Sequence, residues 1–177
     1  SAVNVDASIP QPHFLWGAVL AELGNYEEAI EKFKVTVSLN QYHAEAMHFW
    51  AVALNKMGKF DESIAMSDSA LKLDPNKAEV LVNKADALSN VAKFEEALEL
   101  YAQSTTINPY LIDGYIGWGI TLNRIAKPQM ALEKFAKVIE INPNLDKGYF
   151  FLGSTYADMD MFEEALAAYR KTYELNP

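Results

Sequence analysis

The chain repeats itself with a period of 34 residues, and a strict period of this length restricts the architecture before any motif is read. The segments NYEEAIEKF, KFDESIAMS, KFEEALELY, KPQMALEKF and MFEEALAAY recur at that spacing, holding Ala29, Ser63, Ala97, Ala131 and Ala165 in register. A unit this short cannot enclose a core, so it covers its apolar face by stacking on its neighbours. Five units, 10–43, 44–77, 78–111, 112–145 and 146–177, are expected to form a single array behind an N-terminal tail, residues 1–9.

Numbering each unit from its first residue (Pro10, Ala44, Ala78, Ile112, Asp146), position 8 holds Gly17, Ala51, Ala85, Gly119 and Gly153. Position 20 holds the Ala and Ser set above, so two columns stay small in every copy. Helices approach closely only where side chains are small, so these columns predict the crossing of two helices, A and B, within each unit. Large apolar residues surround them: Trp16, Trp50, Trp118 and Leu152 at position 7, and Phe33, Tyr101, Phe135 and Tyr169 at position 24. Positions 4, 7, 8 and 11 share one helical face, as do 20, 24 and 27. Gly24 and Gly58 separate the helices of their units; Pro75, Pro109, Pro143 and Pro177 close helix B, and Pro128 opens one. The expected fold is all-α, built of antiparallel helix pairs.

Composition narrows the partners. The 15 basic and 24 acidic side chains give a net charge of −9, which repels phosphate backbones and anionic bilayers and favours a neutral or basic partner over nucleic acid. With no cysteine there is no disulfide, thiolate chemistry or cysteine–zinc site. No apolar run has membrane-spanning length, so membrane insertion is not expected, and the chain reads as cytoplasmic. It begins at Ser1 and reads as an excised or processed piece of a longer product.

The pattern resembles the tetratricopeptide repeat, whose consensus places a large–x–x–large–small run at positions 4 to 8, Ala at 20, an aromatic at 24 and Pro at 32. Repeats four and five match best, through Tyr115, Trp118, Gly119, Leu122, Ala131, Phe135 and Pro143, then Tyr149, Gly153, Tyr156, Ala165 and Tyr169. Repeat two departs from it with Ser63 and Ser67 in place of Ala and an aromatic, and Lys84 interrupts the large column at position 7. The Lys84 ammonium is expected to reach Asp86 or water.

The resemblance implies a right-handed superhelical solenoid whose concave face is lined by helix A. Carried onto this chain, the groove comprises Phe14, His48, Phe49, Val52, Asn55, Val82, Asn83 and Asp86, then Ile116, Gly117, Ile120, Asn123, Phe150 and Phe151. Such an apolar, aromatic lining suits an extended peptide or an amphipathic helix, although Phe14, Phe150 and Phe151 could instead pack on the tail or a neighbouring chain. The clamp by which some members of the family grip a C-terminal carboxylate is not matched. Asn83 alone fits it, while His48, Val52, Asp113 and Gly117 stand where cations or amides would be required. Glu45, Glu79 and Asp113 form an acidic row that either selects a basic ligand or simply complements the helix dipoles.

Nothing points to catalysis, a cofactor or a metal. His13, His43 and His48 lack zinc-protease spacing, the GWG of repeat four follows no strand, and Asp158 and Asp160 lack the rest of a calcium loop. The expected function is a protein-interaction scaffold, not an enzyme, binding a peptide or helical segment of a partner. The alternatives are a self-assembling array, a homo-oligomer through ends left uncovered near Leu166 and Tyr173, or the targeting module of a larger enzyme.

Overall fold

The computed structural model describes residues 9–177, so the expected tail lies outside the described residues except for Ile9, the extended N-cap of the first helix. The described residues hold ten α-helices in five pairs: α1 (Pro10–Glu22) and α2 (Tyr26–Leu39), α3 (Ala44–Lys56) and α4 (Phe60–Leu73), α5 (Ala78–Asn90) and α6 (Phe94–Ile107), α7 (Ile112–Arg124) and α8 (Pro128–Ile141), α9 (Asp146–Asp158) and α10 (Phe162–Leu175). Odd-numbered helices are the A helices of the repeats and even-numbered ones the B helices.

Local chemistry accounts for the boundaries. Four of the B helices open on paired acids, Glu27–Glu28, Asp61–Glu62, Glu95–Glu96 and Glu163–Glu164, placed against the positive end of the helix dipole. α8 opens instead on Pro128, whose missing N–H would have had no partner there. After each of the first four B helices the chain turns extended at Asn40, Asp74, Asn108 and Asn142. Proline follows three of these and disfavours the helical conformation before it, yet Asn40 is equally extended before Gln41. The common cause is the side-chain oxygen, which accepts the N–H two residues on in all four cases: Tyr42, Asn76, Tyr110 and Asn144.

Within each hairpin one residue takes a left-handed conformation. Gly24 and Gly58 do so at φ of +80° and +73°, and Ala92, Ala126 and Asp160 occupy the same repeat position at +61°, +56° and +58°. The turn geometry is therefore constant although glycine is not.

Two compact units divide the chain, Ser1–Ala92 and Lys93–Pro177, with the boundary between the two helices of repeat three. In the first, α1 to α5 pack in sequence, and α3 also lies beside α1 and α5; in the second, α6 to α10 pack in sequence with α7 beside α9. The small columns are the crossings. A Cβ on Gly17 would stand 2.7 Å from Cε1 of Phe33, and one on Gly119 would stand 2.5 Å from Cε1 of Phe135, so only hydrogen fits beneath either ring. In repeat two the Ser63 hydroxyl crosses to donate to the Ala51 carbonyl at 2.8 Å.

Junctions between repeats use fixed columns as well. Position 24 of one repeat meets position 6 of the next: Phe33 lies 6.2 Å from Phe49, and Phe135 stacks on Phe151 at 5.4 Å between ring centres. Position 25 meets position 7 of the next, with the Lys34 ammonium 5.9 Å over the Trp50 ring. Lys84 follows this rule, with a partner the sequence expectation did not name. Its ammonium pairs with Asp68, at position 25 of the preceding repeat, at 2.6 Å, where helix packing brings the two together.

Candidate functional site

In the first unit, α1, α3 and α5 carry the predicted lining, and the structure sorts it by burial. Phe14 is 6% exposed and sits among Phe33, His43 and Phe49, with ring centres 5.0 to 6.2 Å away. Val82 and Asn83 are also buried, at 6% and 7%. These three side chains hold the fold together. His48, Phe49, Val52, Asn55 and Asp86 remain half-buried.

Asn83 is a hub that sequence reading placed in the groove. Its amide donates to the hydroxyls of Ser63 at 3.3 Å and Ser67 at 3.2 Å, while its two oxygens, Oδ1 and the backbone carbonyl, each accept from Asn55 Nδ2 at 2.8 Å. The departures at positions 63 and 67 signalled this network, because a buried amide requires hydroxyl partners where an apolar core would have none.

His48 and Phe49 lie edge-to-face, 5.6 Å apart, on the wall of a cavity of about 450 Å³. Ala44, Ala70 and Val80 supply the rest of its apolar lining; Glu45, Glu79, Asp74 and Lys77 supply its charge. Two members of the acidic row thus converge on one cavity, while Asp74 and Lys77 come from the α4–α5 connection and carry no helical periodicity that could have flagged them. Lys77 and Glu79 lie 3.7 Å apart and partly offset each other, leaving two further carboxylates. His48 Nδ1 is buried with no hydrogen-bond partner among the described residues. Burial holds the imidazole below its ordinary pKa of 6.5, against the opposing pull of the Glu79 carboxylate, and Lys77 adds to the lowering. The cavity therefore presents a neutral imidazole and an excess of negative charge.

In the second unit, Ile116, Gly117, Ile120 and Asn123 on α7 and Phe151 on α9 are half-buried, and Phe150 is 48% exposed. Phe150 stands edge-to-face on Phe151, which also stacks on Phe135. Asn123 donates to the Thr155 hydroxyl at 2.7 Å, tying α7 to α9 much as Asn55 ties α3 to α5. Asn55 and Asn123 each keep a buried Oδ1 with no partner among the described residues. Among the described residues no three His, Asp or Glu side chains are placed to hold a metal ion, and no helix is long and apolar enough to cross a membrane.

A family model described as tetratricopeptide repeat matches residues 44–77, 78–110 and 146–177, more than half of the chain. The chain belongs to the tetratricopeptide repeat family. No curated protein matches it in sequence. Among solved structures it resembles TTC0263, a thermophilic TPR protein of Thermus thermophilus, with a TM-score of 0.85 and 19% identity over 95% of this chain and 92% of that one. MamA residues 41 to the end, from Desulfovibrio magneticus RS-1, superpose with a TM-score of 0.78 and 20% identity, covering 98% of this chain and 97% of the other. YrrB, described as a TPR protein with an unusual peptide-binding site, gives a TM-score of 0.68 and 19% identity over 99% and 91%. At these identities the likeness establishes an all-α repeat fold. The family makes the chain a protein-interaction scaffold.

Proposed function

We propose that the A-helix face of the first unit binds an extended or helical segment of a protein partner, anchored in the cavity beside His48 and Phe49, and that the segment is apolar with a basic residue. The cavity carries this reading: about 450 Å³, lined by aromatic and aliphatic side chains together with carboxylates. An aliphatic or aromatic side chain would gain burial against Phe49 and Val80, and a Lys or Arg would find Glu45 and Asp74. Val52, half-buried one turn along α3 from His48, extends the same face. The peptide-binding site of YrrB lends support by analogy of fold.

Selection from a random peptide library on the immobilised chain tests it. Enriched sequences should pair Lys or Arg with a large apolar residue, and Glu45→Gln with Asp74→Asn should weaken them about tenfold. Enriched peptides that bind this double variant as tightly as the parent chain would refute the site.

A further inference from the structure

His48 and His43 stand at the two ends of the same turn of chain, and their imidazoles are treated differently. His43 Nδ1 accepts the Ala46 N–H at 3.2 Å and caps α3. His48 Nδ1 is buried without a hydrogen bond among the described residues, beside the Phe49 ring, which meets it edge-to-face at 5.6 Å and offers no acceptor. A neutral imidazole needs only one N–H, whereas imidazolium carries one on each nitrogen. Protonated His48 would therefore leave an N–H buried at Nδ1 with nothing to receive it.

The charged groups around this imidazole come from three places. Glu45 precedes it by three residues on α3, Asp74 and Lys77 belong to the α4–α5 connection, and Glu79 lies in the first turn of α5. α4 lines the cavity with Ala70 and adds no charge, and no described residue of α1 or α2 lines it. Lys77 and Glu79, 3.7 Å apart, offset each other. Glu45 and Asp74 are then the carboxylates left for an incoming cation.

That cation would share about 450 Å³ with the His48 ring. At the separations such a volume permits, two positive charges repel and draw on the same carboxylates. An apolar segment filling the rest of the cavity also displaces the water that would solvate an imidazolium. Both effects have one sign.

We infer that the cavity releases its occupant on acidification, because a cationic side chain bound there and a proton on His48 exclude one another. The inference rests on the reading of the cavity given above and supplies its regulation. The coupling is reciprocal: the occupant disfavours protonation by the same factor by which protonation disfavours the occupant. Burial already holds the imidazole below 6.5 in the empty cavity, so affinity is complete above about that pH and is lost as pH falls further. Glu45 and Asp74 also lose charge in acid and weaken cation binding in the same direction, so the test must isolate the imidazole.

n-Hexylammonium, a single cation on an apolar chain, and 1-hexanol, its neutral counterpart, serve as probes on the 177-residue chain at constant ionic strength. Proton NMR follows the imidazole of His48 directly, its signal identified by its absence from His48→Gln. Hexylammonium should move the His48 titration midpoint to lower pH, and hexanol should move it less. Hexylammonium should also bind at least about threefold more weakly at pH 5.5 than at pH 7.5, and His48→Gln should remove about half of that loss or more. Saturable binding with an unmoved midpoint, or an equal loss in parent and variant, overturns acid release while the cation-binding cavity stands. Failure of hexylammonium to bind at pH 7.5 overturns acid release together with the cavity reading beneath it.

Discussion

Asn83 Nδ2 lies 3.2 Å from the Ser67 hydroxyl, at the two repeat positions where Phe33 faces Phe49 and Phe135 stacks on Phe151. One junction in the first unit is thus polar where the others with both contacts in view are aromatic. Ser63 and Asn55 complete it, so every atom of the Asn83 amide is occupied in a site that is 7% exposed.

A partly removed network costs more than one never built, since the remaining buried groups lose their partners. Asn83→Ala removes the amide from which Ser63 and Ser67 accept and the Oδ1 that Asn55 reaches, leaving Asn55 only the backbone carbonyl and Ser63 its bond to Ala51, and is expected to lower stability by about 1–3 kcal/mol. Replacing Ser67 and Asn83 together by Phe, as at the aromatic junctions, should cost less than the sum of the two single changes. Urea unfolding midpoints of the four proteins check this; strict additivity would dismiss the coupling.

Two glycines at equivalent positions should respond differently to alanine. At Gly119 the added methyl would meet the fully buried Phe135 ring at 2.5 Å, so overpacking of about 1–3 kcal/mol exceeds the gain of close to 1 kcal/mol in helix propensity. At Gly153 the nearest atoms are those of the Tyr169 ring at 3.0 Å, which is 36% exposed and can yield more readily, with the Ala165 carbonyl oxygen next at 3.3 Å. Thermal unfolding should therefore rank Gly153→Ala above Gly119→Ala by at least about 1 kcal/mol.

His48 makes the first unit acid-sensitive. Because burial lowers its folded-state pKa below 6.5, the unfolded chain takes up a proton first as pH falls. Its contribution is complete above about pH 6.5 and is lost on acidification toward the lowered folded value. His48→Gln should flatten the fall in melting temperature between about pH 7 and pH 5. An unchanged pH profile in the variant would exclude His48 as the source.

Ala126 holds the α7–α8 turn at φ +56°, a conformation that glycine adopts in the equivalent turns of the first two repeats. A left-handed alanine costs roughly 1–2 kcal/mol, partly offset by the greater entropy that glycine loses on folding, of about 0.5–1 kcal/mol. Ala126→Gly is expected to raise stability by about 0.5–1 kcal/mol, measured by chemical denaturation. Destabilisation would mean that the alanine methyl makes a contact worth more than the strain.

The amino-acid sequence by itself determined the period, the helix pairs, the small columns at their crossings and the family, because each of these repeats with a fixed spacing and needs only local geometry to interpret. It also named His48, Phe49, Glu45 and Glu79, which line one cavity in the structure. Tertiary structure alone decided which of the assigned residues face solvent. Phe14, Val82 and Asn83 occupy A-helix positions indistinguishable in register from those of their exposed counterparts, yet the particular side chains opposite them drew them inward. Lys84 likewise pairs with Asp68 across the junction, a partner its own repeat does not contain. Pairing across a junction depends on what stands sixteen residues earlier on another helix, and no periodicity within a single repeat contains that information.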